Sequence, residues 1–156
     1  MEIVFLLTGK TDSSEIENLM NQFEKRLKHY VRFQTIEIKQ VKLKSSDKNL
    51  LLLAERDLQL KAIQDSDFLI LLDENGSYWT SRGFSDQLQK WMNMGPKRLV
   101  FLVGGAFGFH EAVRNRSQAS LSLSKMTFSH QIIRPIFLEQ LYRAFTILKN
   151  EPYHND

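Results

Sequence analysis

Apolar and polar residues along this chain switch repeatedly between a strand-like and a helix-like period. Ile3 to Leu7 is an unbroken apolar run closed by Thr8-Gly9, the pattern of a buried strand. Asp12-Ser13-Ser14-Glu15 has capping-box spacing. Ile16, Leu19, Met20, Phe23 and Leu27 follow at helical intervals, with Glu, Lys and Arg on the other face. Val31 and Phe33, then Ile36 and Ile38, alternate like a strand, with a phase break near Thr35 that predicts a bulge. Lys39 to Asn49 is polar and Lys-rich, which predicts a loop, and Leu50 to Ile63 returns to the helical period. Phe68 to Leu72 is a third strand, buried on both faces by its unbroken apolarity, and Asp73 to Ser77 predicts a turn.

Ser81 is placed to cap a third helix carrying Phe84, Leu88, Trp91 and Met92, which Gly95-Pro96 would stop. Leu99 to Val103 is another buried strand and runs into Gly104-Gly105-Ala106-Phe107-Gly108. A short helix over Glu111 to Arg116 and a strand near Leu121 to Leu123 follow. The last helix covers His130 to Leu148, with Pro135 an awkward guest. Repeated strand–helix units with short connections predict an α/β fold, a doubly wound and largely parallel sheet in one domain over 1–156.

Composition narrows the classes. The 156 residues, 42% hydrophobic and 25% charged, are those of an ordinary globular protein with enough chain for a real core. Cysteine is absent, which excludes disulfides and thiolate chemistry. The start Met1 to Leu7 lacks the features of a signal peptide, and no apolar run approaches the ~20 residues of a membrane helix. We expect a cytoplasmic protein with no membrane partner. A net charge of +3 leans only weakly toward a polyanion.

In a doubly wound sheet, ligands bind at the carboxyl ends of the strands. Three loops lie there: after Leu72, after Val103, and Ser124 to Ser129. Glycines 104, 105 and 108 either let the backbone approach a ligand or serve a tight turn with positive φ. Neither the Gly-x-Gly-x-x-Gly fingerprint nor a P-loop ending is present. Phe23, Phe84 and Trp91 read as core, and Lys39, Lys42, Lys44 and Lys48 read first as a solvated loop and second as an RNA contact. No His-Glu-x-x-His or paired-carboxylate motif occurs, so no metal is expected. In the last segment His130, Arg134, Glu139, Gln140, Tyr142 and Arg143 interrupt an apolar helix. They form either a buried network or a functional face.

Three stretches carry a specific resemblance: Leu123 to Gln131, Glu139-Gln140-Leu141-Tyr142-Arg143-Ala144, and Glu151-Pro152-Tyr153-His154. With the Phe101 to Gly105 strand and loop, the Leu71-Leu72-Asp73 strand end and the overall length, the whole chain resembles the ribosomal RNA large subunit pseudouridine methyltransferases, within the SPOUT methyltransferases. The resemblance implies a C-terminal trefoil knot, an exception among folds. It implies S-adenosylmethionine bound by Leu72, Gly104, Leu123, Ser124, Lys125, Met126, Thr127 and Phe128. The implied reaction is methylation of N3 of a pseudouridine in 23S rRNA, on the large subunit or assembled ribosome. A catalytically inactive RNA-binding knot protein and an unrelated nucleotide binder are the rival readings.

The sequence departs from the family at three places. Many members carry Pro at the position of Ser129 and another residue at that of Pro135, so we expect a kink or a later helix start. Many follow the His with Lys or Arg, where this chain ends Asn155-Asp156 and offers no cation for a terminal phosphate contact.

Methylation requires loss of the N3 proton and stabilisation of the anion left on the imide. By resemblance His154 is the candidate base or orienter, and Arg134 and Arg143 are candidates to bind phosphate or steady the anion. Tyr153 is the candidate to stack on the base, with His130 and Glu139 as supports. The last helix holds more apolar residues than one packing face needs, which predicts a homodimer through Ile132, Ile133, Ile136 and Leu141. A short charged tail normally frays. We therefore expect the Tyr153-His154 tail of one protomer to complete the pocket of the other.

Overall fold

The computed structural model describes residues 1–44 and 46–155; Ser45, within the expected Lys-rich loop, and the terminal Asp156 lie outside the described residues. Among the described residues ten elements alternate: β1 (Glu2–Thr8), α1 (Ser14–Leu27), β2 (Arg32–Ile38), α2 (Lys48–Ala62), β3 (Phe68–Tyr78), α3 (Ser81–Asn93), β4 (Arg98–Val103), α4 (Glu111–Arg116), β5 (Ala119–Ser122) and α5 (Ile133–Leu148). The strands form one parallel sheet in the order β2-β1-β4-β3-β5. Its central strands are apolar on both faces because both are covered. Ile3, Phe5, Leu7, Ile70, Leu99 and Phe101 pack under α1, α3 and α5, whereas Val4, Leu6, Leu69, Leu71, Val100 and Leu102 pack with residues around α2 and α4. Helices on both faces oblige each strand to bury consecutive side chains.

This double cover corrects the expected bulge near Thr35. β2 pairs with β1 in continuous register from Arg32 to Ile38. The apolar phase changes because Phe33 enters the core on one face, while Ile36 and Ile38 serve the other. The irregularity lies instead in β3. Leu72 and Ser77 both pair with Leu121 of β5, so the expected turn at 73–77 is a shift inside one long strand.

Helix caps fall one residue from two expectations. Ser13, not Asp12, caps α1 and accepts from the Ile16 amide. Thr80 caps α3, and Ser81 instead donates to Gln140 of α5 at 3.0 Å. The Pro135 expectation holds in its second form. The helix starts at Ile133, placing Pro135 in the first turn, where a missing N–H costs no helical bond. The carbonyl of Gln131, which an amide at 135 would have used, accepts from Arg134.

α5 packs against both α1 and α3 and buries Phe137, Leu138, Leu141, Ala144 and Phe145. Its surplus of apolar residues is thereby largely used within its own chain. Leu141 has no exposed surface, which removes it from the expected dimer interface; Ile132 remains exposed.

Candidate active site

A cavity of about 630 Å³ opens at the carboxyl ends of β3, β4 and β5, a volume suited to a nucleotide-sized ligand. β3 contributes Leu72 to Asn75, the loop after β4 contributes Gly104 to Phe109, and the chain after β5 contributes Leu123, Ser124 and Met126 to His130. Apolar side chains from the strand ends, including Leu72, Val103 and Leu121, form its inner wall. Lys48, Asp73, Glu74 and Arg114 supply charge, and among the described residues no other acidic side chain lines the cavity.

Close backbone approach shapes the walls. A Cβ on Gly76 would lie 2.7 Å from the Leu121 amide nitrogen, so β3 and β5 meet there only because position 76 has no side chain. A Cβ on Gly104 would lie 2.7 Å from the carbonyl oxygen of Gly108. Gly104 therefore serves the folding of its own loop, and the loop closes through Gly108, whose φ of 78° suits glycine. Glu55 of α2 lies against Gly105 from beneath. The Glu55 carboxylate is buried with Oε2 unpartnered, and burial pushes its pKa above the ordinary value.

Hydrogen bonds fix the polar rim. Asp73 accepts from the Asn75 amide at 2.9 Å and from Arg114. Thr127 donates to Glu74 at 2.7 Å, tying the segment after β5 to the end of β3. Ser124 accepts from the Met126 amide through its hydroxyl, and its carbonyl accepts from Ser122. Gln131 donates to the Lys10 carbonyl and accepts from the Asp12 amide, which holds the same segment against the loop after β1. His130 lines the cavity, and burial, followed by the charge of Arg134, lowers its pKa.

Of the expected cofactor residues, Leu72, Gly104, Leu123, Ser124, Met126, Thr127 and Phe128 line this cavity. Lys125 does not; its ammonium lies over the Tyr78 ring, 5.1 Å from the centroid. The expected catalytic residues divide. Arg134 is fully buried. It donates to the carbonyls of His130, Thr8 and Gly9 and to the Thr11 hydroxyl. With four of its five N–H groups engaged inside the chain and no exposed surface, Arg134 fastens α5 to the end of β1 and does not present itself to phosphate or to an anion on the substrate. This corrects the expectation from sequence.

Arg143, Tyr153 and His154 come together elsewhere, on α5 and the tail beyond it. Arg143 donates to Glu139 through Nε and Nη2, and its guanidinium lies 4.8 Å from the Tyr153 ring centroid. Tyr153 donates to Glu139 at 3.1 Å; burial and then the Glu139 charge raise its pKa, which keeps the phenol protonated. His154 Nδ1 lies 3.2 Å from Arg143 Nη1. The described part of the tail is tied down: Tyr30, in the turn after α1, donates to Glu151, and the Glu151 amide donates to the Thr146 carbonyl. None of Glu139, Arg143, Tyr153 and His154 lines the cavity of its own chain.

Sequence reasoning missed Glu74, Asn75, Phe109 and Arg114 in the cavity wall. The acidic pair directly after an apolar strand was a usable signal, since a strand end in this fold faces ligand. Arg114 gave none, because a basic residue late in a short helix is ordinary dipole complement.

Fold and site together define an α/β protein with a nucleotide-sized cavity at the carboxyl ends of its parallel strands. Residues 1–154 match the family described as predicted SPOUT methyltransferase, and the chain belongs to that family of methyltransferases. It is 51% identical over 156 residues to the ribosomal RNA large subunit methyltransferase H of Christiangramia forsetii, covering 99% of each chain. It is 48% identical to the protein of the same name from Parabacteroides distasonis, covering 100% of each. A solved structure of a probable methylase family protein from Haemophilus influenzae superimposes with a TM-score of 0.54 at 12% identity, over 96% of this chain and 66% of that one, a likeness of fold. Among the described residues no helix is long and apolar enough to cross a membrane.

Proposed function

We propose that this methyltransferase carries the methyl group of S-adenosylmethionine to N3 of a pseudouridine in 23S rRNA, on the large subunit or the assembled ribosome. The observation that carries the cofactor reading is the single cavity that gathers the ends of β3 and β4 with the segment 123–128. Leu72, Val103, Leu121 and Leu123 offer apolar surface for an adenine ring, and the Glu74 carboxylate suits a cationic ligand. When bound, the cofactor supplies an electrophilic methyl on a sulfonium. The RNA substrate rests on the name the relatives share.

The same reading makes residues 1–156 one SPOUT-type domain, working in the cytoplasm where ribosomes are, with the chain after β4 threaded as a trefoil knot. The placement of β5 beside β3, followed by the return of α5 across the face between α1 and α3, supports that threading. A homodimer completes the site. Phe107, Met126, Phe128 and Ile132 are exposed at or beside the cavity, an apolar rim suited to a second copy. The tail cluster of Arg143, Tyr153 and His154 lies away from its own cavity, which leaves it for the partner's.

Calorimetry with S-adenosylmethionine, ATP and NAD tests the ligand, with binding expected for the first alone. Radiolabelled methyl transfer to ribosomes tests the reaction, with label expected at N3 of one pseudouridine. Cofactor binding without transfer to any ribosomal substrate would favour an inactive RNA-binding knot protein.

A further inference from the structure

We propose that Lys10, Lys39 and Lys42 grip the phosphate backbone of the rRNA strand that leads to the methylated nucleotide. The proposal rests on the reading that ribosomal RNA is the substrate. A second groove, of about 820 Å³, lies at the carboxyl ends of β1 and β2. Lys10 lines it from the connection after β1, and Lys39 and Lys42 line it from the chain after β2. The strands are parallel in the order β2-β1-β4-β3-β5. The groove therefore opens at the same end of the sheet as the cavity, beside it along the strand order.

A Lys-rich loop taken alone is ordinarily a solvated one. Here the fold brings Lys10, from a separate connection, to the groove that Lys39 and Lys42 line, and all three are exposed. Among the described residues none of these ammonium groups has a carboxylate partner. Glu37 is the acidic residue lining the groove, and its Oε1 already accepts from the Thr11 amide at 3.0 Å and the Thr11 hydroxyl at 3.1 Å. A cleft lined mainly by one sign of charge focuses its field and draws in the opposite sign.

Lys48 carries the positive surface on to the cavity, which it lines. It opens α2, and beyond the Asp47 cap the first turn holds no acidic residue. A cation at that end opposes the helix dipole, so Lys48 gains nothing from its own helix. Its ammonium lies 5.5 Å from the centroid of the exposed Phe107 ring, at the cavity rim. A strand held by Lys10, Lys39 and Lys42 is thereby led toward the rim where a base enters. Lysines bind phosphate as mobile point charges and need no fixed partner geometry. That suits a backbone of evenly repeated charge, gripped without reading its sequence.

Lys10→Gln, Lys39→Gln and Lys42→Gln combined should raise KM for ribosomes about 10–100-fold with kcat unchanged, the mark of lost uniform binding. S-adenosylmethionine affinity should not move, since none of the three lines the cavity. The slope of log affinity against log salt should become shallower by about two, at ~0.7 for each contact to a single strand. Arg at the same three positions should restore both values. Gln in place of Lys61, Lys90 and Lys97, exposed lysines outside the groove, should leave both at the parent's values. A groove variant with the parent's KM and slope, an Arg variant as weak as Gln, or an equal loss in the control overturns the proposal. The chain has no cysteine, so Lys42→Cys takes an iron chelate at one place. On ribosomes it should cut the 23S rRNA strand beside the target nucleotide; an uncut strand overturns the proposal and points to a ribosomal protein as the partner. The parent's own methyl transfer separates the failures: its absence sinks the rRNA reading, whereas an active parent with an unmoved groove variant sinks only the grip.

Discussion

The guanidinium of Arg134 donates to the carbonyl of Gly9 at 3.2 Å, joining the start of the last helix to the end of the first strand. With Thr8 and His130 also served by the same side chain, removal of Arg134 strands three backbone acceptors in the interior. Arg134→Met keeps much of the volume and removes every donor. We expect a cost of about 2–4 kcal/mol, seen as a fall in Tm of roughly 4–12 °C. A residue that contacted phosphate would give the opposite result, an unchanged Tm with a raised KM for ribosomes.

Gly104→Val should weaken S-adenosylmethionine binding by roughly tenfold or more, ~1.4 kcal/mol. The cause differs from the one sequence suggested. The new Cβ meets the Gly108 carbonyl oxygen at 2.7 Å, so the loop must open before any ligand arrives. The affinity loss should therefore come with a measurable drop in Tm of the ligand-free protein. Unchanged affinity in calorimetry would remove this loop from the cofactor site.

Glu55 gives a pH-dependent prediction with a definite sign. Burial raises its pKa above 4.5, so the folded state holds its proton where the unfolded state has lost it. Stability then falls as pH rises from about 4.5 through the raised value. Glu55→Gln removes this loss and should stabilise the protein at pH 7 by about 1 kcal/mol. The gain should shrink toward zero below the ordinary carboxylate range. Thermal melts of the two proteins between pH 4 and pH 8 decide it, and a gain independent of pH would mean Glu55 is not the titrating group.

The apolar runs of β1, β3 and β4 were legible because burial on both faces leaves no polar positions to blur them. The bounds of α4 fell at Glu111 and Arg116 as its pattern implied, and Pro135 announced the late start of α5. What escaped was set by packing across the sheet. The apolar phase at Thr35 looked like a bulge because a period of two cannot say which face a second layer covers. Arg134 looked like a ligand-binding cation because its partners, Thr8 and Gly9, lie over a hundred positions away in sequence. The segments that line the cavity were legible by strand-end logic and resemblance together. The order of the tail rests on contacts such as those of Tyr30 and Glu139, which no local pattern links to it.

That ordered tail frames the last prediction. Within one chain Tyr153 and His154 are anchored to α5, yet neither lines the cavity. Removing residues 151–156 should leave cofactor affinity and dimerisation nearly intact, because none of the described tail residues lines the cavity of its own chain. Methyl transfer to ribosomes should be abolished. A mixed dimer of one tail-deleted and one Gly104→Val subunit then discriminates between sites built within a chain and sites built across the pair. In the composite arrangement both defects fall in one pocket, while the other combines an intact loop with an intact tail. About half the parent activity per dimer should return. If each chain instead supplied its own tail, both pockets would carry a defect and the mixed dimer would stay inactive. Sedimentation of the 18.3 kDa chain at low micromolar concentration sets the precondition, since a clean monomer would leave no partner to complete the site.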